Sequence, residues 1–237
     1  MHLLHDKIYS SLSSATNIDE FFGVLCCYTL AMGFEYCCYG LRMPLPVSNR
    51  PVHISNSYPV GWMEHYKNNG YINIDPLVKR GARTLVPLIW SPDLFCDAKD
   101  MWDCAQSFGL RHGVSHSTWS EHGSYGLLSM ARSKDPISAM ELAACSERFS
   151  WLSSVTHVLI GRFLDDNAEK NEDIRLTARE IEILCWTCDG KTSYEISRIV
   201  NISAPTVNFH INNVLNKLNV SNKVQAAVKA LRLGLIN

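Results

Sequence analysis

The hydrophobic positions of the chain follow two different spacings. Where they recur every three or four residues, the pattern is typical of an α-helix with one buried face. Where apolar and aromatic residues follow one another without breakers, the pattern is typical of a β-strand. Helices are predicted over 18–32, 57–66, 97–108 and 138–163, strands over 34–41 and 52–56, a hairpin over 113–119 and 125–132, and an apolar segment over 87–90.

The order of these elements predicts a fold class for residues 1–163. Helices stand at both ends, with short strands and a hairpin between them, so we expect an α+β domain with an antiparallel sheet covered by helices, an α/β/α sandwich. The next stretch, LDDNAEKNEDIR (164–175), is polar and without an apolar period, and we interpret it as a linker. Residues 176–237 then form a separate domain.

Helix start and stop signals are dense in 176–237. Thr177 with Glu180, and Thr192 with Glu195, form capping-box patterns, while Leu176 and Ile181 can form a hydrophobic staple. Gly190 fits the position after a helix end. Further signals are Asn201 at a turn, Ser203 as a cap and Pro205 in a first turn. The pattern predicts an all-α domain of four helices with a helix-turn-helix.

The third of these helices has two different faces. At about 100° per residue, one side is apolar and is expected to be core: Val207, Ile211, Val214 and Leu218. The other side presents Asn208, Phe209 and Asn212, and asparagine can bond adenine in a major groove while an aromatic edge touches a thymine methyl. Candidate phosphate contacts are Thr206, Asn213, Lys191, Lys217 and Lys223. The alternative is a small helical domain for protein interaction.

Charge is divided unevenly along the chain, although the whole carries a formal net charge of −1. Residues 175–237 hold eight Lys and Arg against four Asp and Glu, whereas residues 1–174 hold 14 against 19. A basic C-terminal part favours a phosphate-bearing partner. The acidic remainder favours an uncharged ligand or an intramolecular role.

Cysteine usage and hydropathy indicate the compartment. The nine cysteines include adjacent pairs, which suit reduced thiols, and the longest uncharged run near the start, 21–34, is 14 residues, short of a membrane span. The start MHLLHDK does not resemble a signal peptide. Cys185 and Cys188 form a CxxC without a second pair at zinc spacing, so no metal is expected. We expect a cytoplasmic protein without a membrane partner.

Residues 176–237 resemble the DNA-binding domain of LuxR-type transcriptional regulators. The resemblance rests on Glu180, Leu184, Gly190, TVNFH (206–210) and KLNVSNK (217–223). It implies that a fourth helix, about 221–233, forms a dimer contact through a stripe of four residues: Val224, Ala227, Val228 and Leu231. The alternative is that this stripe only completes the core of the domain.

The segment that precedes such a domain decides what controls it. A phosphoacceptor receiver would need alternating strands and helices with acidic residues at strand ends, which this chain does not offer. Residues 1–163 instead resemble the autoinducer-binding domain of regulators that sense N-acyl-homoserine lactones. The resemblance rests on YPVGWMEHY (58–66), Asp75-Pro76, Trp90, Gly113 and Ser129 in LLSMAR.

This resemblance implies roles for individual residues. Trp62 would donate to the lactone carbonyl, Asp75 would accept from the amide N–H, and Tyr58 and Ser129 would donate to the amide carbonyl. Tyr66 and Trp90 would wall the head group. The acyl tail would be lined by Cys38, Ile54, Val78, Leu110 and Leu127.

Taken without the resemblance, the same residues have simpler interpretations. Tyr58, Trp62 and Tyr66 would share one helix face as core aromatics, Asp75 would cap a helix, and Ser129 would bond to backbone. Two departures from relatives concern specificity: Asn208 and Asn212 stand where certain members carry basic residues, and Cys37-Cys38 lies where the tail slot narrows.

The resemblance implies a ligand-responsive regulator that binds an inverted-repeat promoter site as a dimer, and no catalytic residue. The expected partners are double-stranded DNA, an N-acyl-homoserine lactone, a second copy of the chain and RNA polymerase, without a cofactor. An enzyme acting on the lactone is disfavoured, since the chain has no GxSxG motif and His112, His116 and His122 lack a metal-ligand pattern. A further alternative is a regulator of this architecture that senses a non-lactone ligand or acts without one.

Overall fold

The computed structural model describes residues 2–44, 46, 49–120, 123–164 and 174–236. These residues fall into two units, the first built from the elements up to Leu164 and the second from those after Ile174. Residues 165–173, which form most of the expected linker, and His122 lie outside the described residues.

The first unit is organised around a five-stranded antiparallel sheet. Its strands are β1 (Tyr36–Arg42), β2 (Val52–Asn56), β3 (Leu88–Ile89), β4 (His112–Trp119) and β5 (Tyr125–Arg132), in the order β2-β1-β5-β4-β3. The predicted strands at 34–41 and 52–56 and the hairpin of β4 and β5 are confirmed.

Helices cover both faces of the sheet. They are α1 (His2–Ser13), α2 (Ile18–Ala31), α3 (Trp62–Asn68), α4 (Pro76–Gly81), α5 (Lys99–Ser107) and α6 (Ala139–Leu164), with 3₁₀ turns at Tyr71–Asn73 and Cys96–Ala98. One core joins α1, α2 and α6 to the face of β1 that carries Cys37, Tyr39 and Leu41. A second core joins α3, α4 and α5 on the other face. The predicted α/β/α sandwich is confirmed.

The predicted helix over 57–66 is wrong in its start. Helix α3 begins at Trp62, because Gly61 before it adopts φ +86°, a left-handed conformation that interrupts regular helix. Tyr58 therefore precedes the helix and does not share a helix face with Trp62 and Tyr66. The helix predicted over 97–108 starts as the 3₁₀ turn, with α5 following from Lys99.

The second unit consists of four helices in the described residues: α7 (Ala178–Cys188), α8 (Ser193–Ile199), α9 (Ala204–Leu218) and α10 (Lys223–Arg232). Both capping boxes form, at Thr177 with Glu180 and at Thr192 with Glu195, and Ser203 caps α9. Gly190 follows the C-terminal end of α7 and adopts φ +81°, the left-handed conformation typical of that position. The all-α fold predicted here is confirmed.

No helix in the described residues has both the length and the apolar character needed to cross a membrane.

Candidate functional site: a cavity above the sheet and a helix-turn-helix

A cavity of about 300 Å³ lies between the sheet and helices α3 and α4. Its floor is the face of β1 that carries Cys38, Gly40 and Arg42, because alternate strand residues point to one side. Its roof includes Trp62 of α3 and Val78 of α4. The walls are mostly apolar, as in other small-molecule sites.

Asp75 brings a carboxylate to this cavity. One oxygen, Oδ1, caps α4 by accepting from the Leu77 N–H at 2.8 Å, and the other, Oδ2, accepts from the Tyr66 hydroxyl at 2.9 Å. Burial raises the pKa of Asp75 to about 6, although the bonds from Tyr66 and Leu77 oppose the rise. The cap expected from sequence forms, and the same side chain also lines the cavity.

Ser129 is fixed by a chain of hydrogen bonds from the neighbouring strand. Its hydroxyl lies 2.7 Å from that of Ser115, which accepts from the Trp90 indole N–H at 2.9 Å. Trp90 lies flat on Gly113, where an added Cβ would come within 2.5 Å of the indole ring. The Ser129 hydroxyl thus bonds the side chain of Ser115. Its position in an apolar strand had suggested a bond to the backbone instead.

Two further side chains near Ser129 are held in their neutral forms. Burial raises the pKa of the Cys38 thiol to about 12, with the Tyr58 hydroxyl opposing the rise. Burial also raises the pKa of Tyr58 well above its usual value. Both therefore offer neutral donors at neutral pH. The indole N–H of Trp62 makes no hydrogen bond within the described residues and remains free for a ligand.

The structure brings most of the residues predicted for the ligand site onto this one cavity. They are Cys38, Ile54, Tyr58, Trp62, Tyr66, Asp75, Val78, Leu127 and Ser129. Trp90 and Leu110 do not line it: both are buried in the second core, and Trp90 reaches the cavity only through Ser115 and Ser129.

The sequence prediction missed other residues that line the cavity: Gly40, Arg42, Val52, Met63, Ile72, Asn73, Leu77 and Tyr125. Strand alternation could have found part of this set. Gly40 and Arg42 follow Cys38 at steps of two, and Tyr125 precedes Leu127 and Ser129 in the same way.

In the second unit, α9 has the two faces that its sequence predicts. Val207, Ile211, Val214 and Leu218 are buried, whereas Asn208, Phe209 and Asn212 are exposed. Phe209 is 62% exposed, so this large apolar ring has no role in the core. An exposed ring between asparagines suits a surface that reads base edges.

The candidate phosphate contacts have different surroundings. Lys217 forms a 2.6 Å ion pair with the buried Glu180, which makes it part of the fold of this unit. Lys223 donates to the Ser193 hydroxyl at 3.1 Å, and that hydroxyl donates to Asn208 Oδ1 at 2.7 Å. Lys191 and Thr206 are exposed, and Asn213 is half-buried.

Two of the four residues of the stripe on α10 face outward, and the other two are half-buried. Val224 is 74% exposed and Leu231 is 51% exposed, while Ala226 and Ala230 fill the core from the other side of the helix. The interpretation in which the stripe only completes the core is therefore wrong for Val224 and Leu231. Two large aliphatic side chains remain available for another surface.

Comparison with protein families assigns both units. Residues 17–158 match the family described as the autoinducer binding domain, and residues 175–230 match the bacterial regulatory proteins of the luxR family. The two matches cover the cavity and the helix-turn-helix respectively.

SolR and SdiA match the chain over nearly its full length, and CepR2 matches 70% of it. The chain is 46% identical over 228 residues to the transcriptional activator protein SolR of Ralstonia nicotianae, covering 96% of this chain and 97% of SolR. SdiA of Escherichia coli, in complex with octanoyl-rac-glycerol, has a TM-score of 0.78 at 29% identity, covering 100% of this chain and 96% of SdiA. CepR2 of Burkholderia cenocepacia, an N-acylhomoserine lactone dependent LuxR family factor, has a TM-score of 0.63 at 31% identity, covering 70% and 96%.

These relatives are transcriptional regulators and not enzymes, which removes the lactone-processing alternative. The autoinducer is a small-molecule ligand and not a cofactor. The chain belongs to the LuxR family of bacterial regulatory proteins and is a quorum-sensing transcriptional regulator with an autoinducer-binding domain and a DNA-binding helix-turn-helix.

Proposed function

We propose that the autoinducer is an N-acyl-homoserine lactone and that the protein, as a dimer, binds an inverted-repeat promoter site when this ligand is bound. The observation that carries the proposal is the convergence of Trp62, Asp75, Tyr58 and Ser129 on one apolar cavity. The dependence of CepR2 on N-acylhomoserine lactone lends support from a relative.

The polar atoms of such a lactone match these four side chains. The ligand has a lactone carbonyl and an amide carbonyl, which need donors, and one amide N–H, which needs an acceptor. We assign the free indole N–H of Trp62 to the lactone carbonyl and the hydroxyls of Tyr58 and Ser129 to the amide carbonyl. Asp75 accepts from the amide N–H, and Tyr66 walls the head group and orients that carboxylate.

The remaining predicted ligand residues serve the apolar part. Cys38, Ile54, Val78 and Leu127 line the acyl tail. Trp90 acts indirectly: its indole N–H holds the Ser115 hydroxyl, which in turn holds the Ser129 hydroxyl in place. Leu110 contributes to the core beside the cavity.

A ligand without a lactone is the second candidate. SdiA, which shares this fold, forms a complex with octanoyl-rac-glycerol, an acyl ester without an amide N–H. Such a ligand uses the tail in the same way, and its two free hydroxyl groups can donate to Asp75 in place of the amide N–H. We favour the lactone because its two carbonyl groups match the donors of Trp62, Tyr58 and Ser129, whereas the acyl glycerol offers one carbonyl.

Thermal melting of the full-length protein tests the ligand class. At about 100 times its dissociation constant, a ligand adds about 2.7 kcal/mol to the stability of the folded state, several degrees in Tm for a chain of this size. We expect N-acyl-homoserine lactones to give this shift and their ring-opened hydrolysis products to give none. A larger shift with 1-octanoyl glycerol than with every lactone would support the second candidate and overturn the first.

For the DNA-binding unit, we assign base contacts to Asn208, Phe209 and Asn212, and phosphate contacts to Lys191, Thr206, Asn213 and Lys223, with Lys217 acting chiefly in the fold. Two copies paired through α10 would present α9 to half-sites about one helical turn apart. Since the target is promoter DNA, the protein would act in the cytoplasm, where RNA polymerase is its further partner.

This arrangement is tested by gel-shift titration on an inverted repeat and on the isolated half-site. A ligand-loaded dimer binds the full repeat in one cooperative step. Equal affinity for the half-site and the repeat would contradict the dimer.

A further inference from the structure

The cavity has a direction, which the register of three strands defines. Across β2, β1 and β5, one row joins Cys38 to Ser129, the next joins Ile54, Gly40 and Leu127, and the last joins Val52, Arg42 and Tyr125. The first row adjoins the Tyr58 hydroxyl, at the polar end. The last row is therefore the far end of the cavity.

Helix α4 runs in the same direction. Asp75 caps its start at the polar end, and Gly81 at its end lies against the tip of Tyr125. A Cβ on Gly81 would come within 2.6 Å of the Tyr125 hydroxyl and 2.7 Å of the Ser117 hydroxyl. The tyrosine side chain thus spans the space between β5 and α4.

Tyr125 is held in this position from several sides. The Arg42 guanidinium lies 5.0 Å from the centre of its ring, and the Trp119 ring lies at 4.9 Å. The residue is 4% exposed, and its hydroxyl has no hydrogen-bond partner within the described residues. Because the ring packs against Arg42 and Trp119 and its hydroxyl lies at Gly81 beside Ser117, it acts as a wall.

Gly40 keeps the path to this wall open. It lies in the middle row, and an added Cβ there would meet no atom within 4 Å. A chain that leaves the polar end therefore passes over Gly40 before it reaches Tyr125. Both residues line the cavity.

We propose that Tyr125 is the end wall of the acyl slot and limits the ligand to an acyl chain of about eight carbons. This rests on the proposed function, the binding of an N-acyl-homoserine lactone in this cavity. From the first row to the last is four residues along β1, about 13 Å. A terminal methyl stops about 4 Å from the ring, which leaves about 9 Å beyond the amide carbonyl.

That distance sets the number of carbons. An extended chain advances about 1.3 Å per carbon, given C–C bonds of about 1.5 Å at tetrahedral angles, so about seven carbons follow the carbonyl carbon. The cavity volume of about 300 Å³ agrees with a small ligand, at the low end of the range for ligand sites.

The test is a panel of unsubstituted N-acyl-homoserine lactones with 4 to 14 acyl carbons, titrated against the full-length protein with melting temperature as the readout. Wild type is expected to prefer about eight carbons. Tyr125→Leu removes the wall, and each further buried methylene improves affinity about fourfold, so the affinity for the twelve-carbon lactone relative to the eight-carbon one should rise at least tenfold. Tyr125→Phe keeps the ring and is expected to keep the preferred length.

Gly40→Val gives an independent test in the opposite direction, since valine suits a strand and would fill the middle row. It is expected to lower affinity for the eight-carbon lactone relative to the six-carbon one by about tenfold. If Tyr125→Leu fails to fold, the length preference of the wild type decides. An unchanged length preference in folded Tyr125→Leu, or a wild-type preference for twelve carbons or more, overturns the proposal while leaving the ligand class intact. A wild type that responds to no lactone of any length overturns the proposed function as well.

Discussion

The Tyr66 hydroxyl donates a 2.9 Å hydrogen bond to Oδ2 of Asp75, while Oδ1 of the same carboxylate accepts from the Leu77 N–H. The carboxylate is buried, and burial raises its pKa to about 6. At neutral pH the carboxyl group is therefore ionised, and its ionisation lowers the stability of the folded protein. Each oxygen keeps a free lone pair that can accept a hydrogen bond from a ligand N–H.

The first prediction concerns Asp75→Asn. A folded-state pKa raised from 3.8 to about 6 means that this group stabilises the fold below pH 3.8 and that the contribution is lost as pH rises through 6. At pH 7.5 the ionised form destabilises the empty protein by roughly 3 kcal/mol relative to a neutral one. The asparagine variant should therefore melt no lower than wild type without ligand, yet lose most of the lactone-induced shift.

Tyr66→Phe is the matched control for that variant. It keeps the ring that packs on Trp62 but removes one donor from the carboxylate, so it should weaken the lactone response less than Asp75→Asn does. A normal response from Asp75→Asn would show that the carboxylate does not bind the ligand.

The second prediction concerns His157, which lies on the opposite side of the sheet. Its ring nitrogens contact the Tyr39 hydroxyl at 2.7 Å and the Ser124 hydroxyl at 3.3 Å, and burial lowers its pKa to about 4. Between pH 6.5 and 4 the unfolded chain binds a proton that the folded chain does not. This group should therefore reduce stability as pH falls from 6.5 to 4, on the order of 2 kcal/mol in all.

Urea unfolding of the first unit from pH 7.5 to 4, compared between wild type and His157→Gln, measures this contribution. Asp75 titrates in part of the same range with the opposite sign, but it is present in both proteins and cancels in the difference. The difference in free energy of unfolding should shrink as pH falls. A difference that is constant over this range would contradict the assignment to His157.

Sequence patterns predicted the framework better than the site. Strand alternation and capping boxes depend on neighbours within a few residues, so the sheet strands, α2 and the caps at Thr177 and Thr192 were predictable. Tyr58 was misplaced because the conformation of Gly61 overrides an aromatic spacing that suits a helix. Gly61 is a local signal for such a break, but the aromatic spacing was given more weight.

The far end of the cavity was missed for a different reason. Tyr125 reaches it only because Gly81, distant in sequence, leaves room for the hydroxyl on α4. Likewise Trp90 was expected at the ligand but bonds Ser115, a contact that depends on how β3 and β4 pair. Contacts of this kind require the tertiary structure.

The third prediction separates two roles of Lys217. Its ammonium pairs at 2.6 Å with Glu180. Burial would raise the pKa of Glu180, but the bonds from Lys217 and Thr177 outweigh it and lower the pKa. Lys217→Met leaves a buried carboxylate short of a partner and should destabilise the second unit by roughly 2 kcal/mol.

Adding Glu180→Gln to Lys217→Met is the control, because it removes the unpaired charge and should recover part of that loss. If Lys217 acts only on DNA phosphate, the melting temperature stays unchanged and the salt dependence of operator binding falls by about one unit in slope.

The fourth prediction concerns the exposed ring on α9. Phe209→Ala should change the free energy of unfolding by less than about 0.5 kcal/mol, because the side chain is exposed, while weakening operator binding. Val207 lies on the buried face of the same helix. Val207→Ala should therefore have the reverse effect: it should destabilise the unit by about 2 kcal/mol but leave operator binding by the folded protein intact. Denaturant unfolding and gel-shift titration of both variants check this. Unchanged operator affinity in Phe209→Ala would exclude the ring from the DNA contact.

The fifth prediction concerns the outward stripe on α10. Val224→Glu and Leu231→Glu place charges on an aliphatic surface that the unit does not use for its own core, so melting of the monomer should be unaffected. If this stripe pairs two copies, each new glutamate would face the same glutamate of the other copy across the two-fold axis, and the two charges would repel each other. Operator affinity should then fall at least tenfold.

Gln225→Glu adds the same charge to the same helix and serves as the control. Gln225 Oε1 accepts from the Ser221 N–H at 2.9 Å, a bond that glutamate also makes, so this variant should bind DNA nearly as wild type does. Sedimentation of the ligand-loaded protein then reports the dimer directly. If Leu231→Glu sediments as wild type and binds the inverted repeat normally, the pairing surface lies elsewhere, and the exposure of Val224 and Leu231 has another cause.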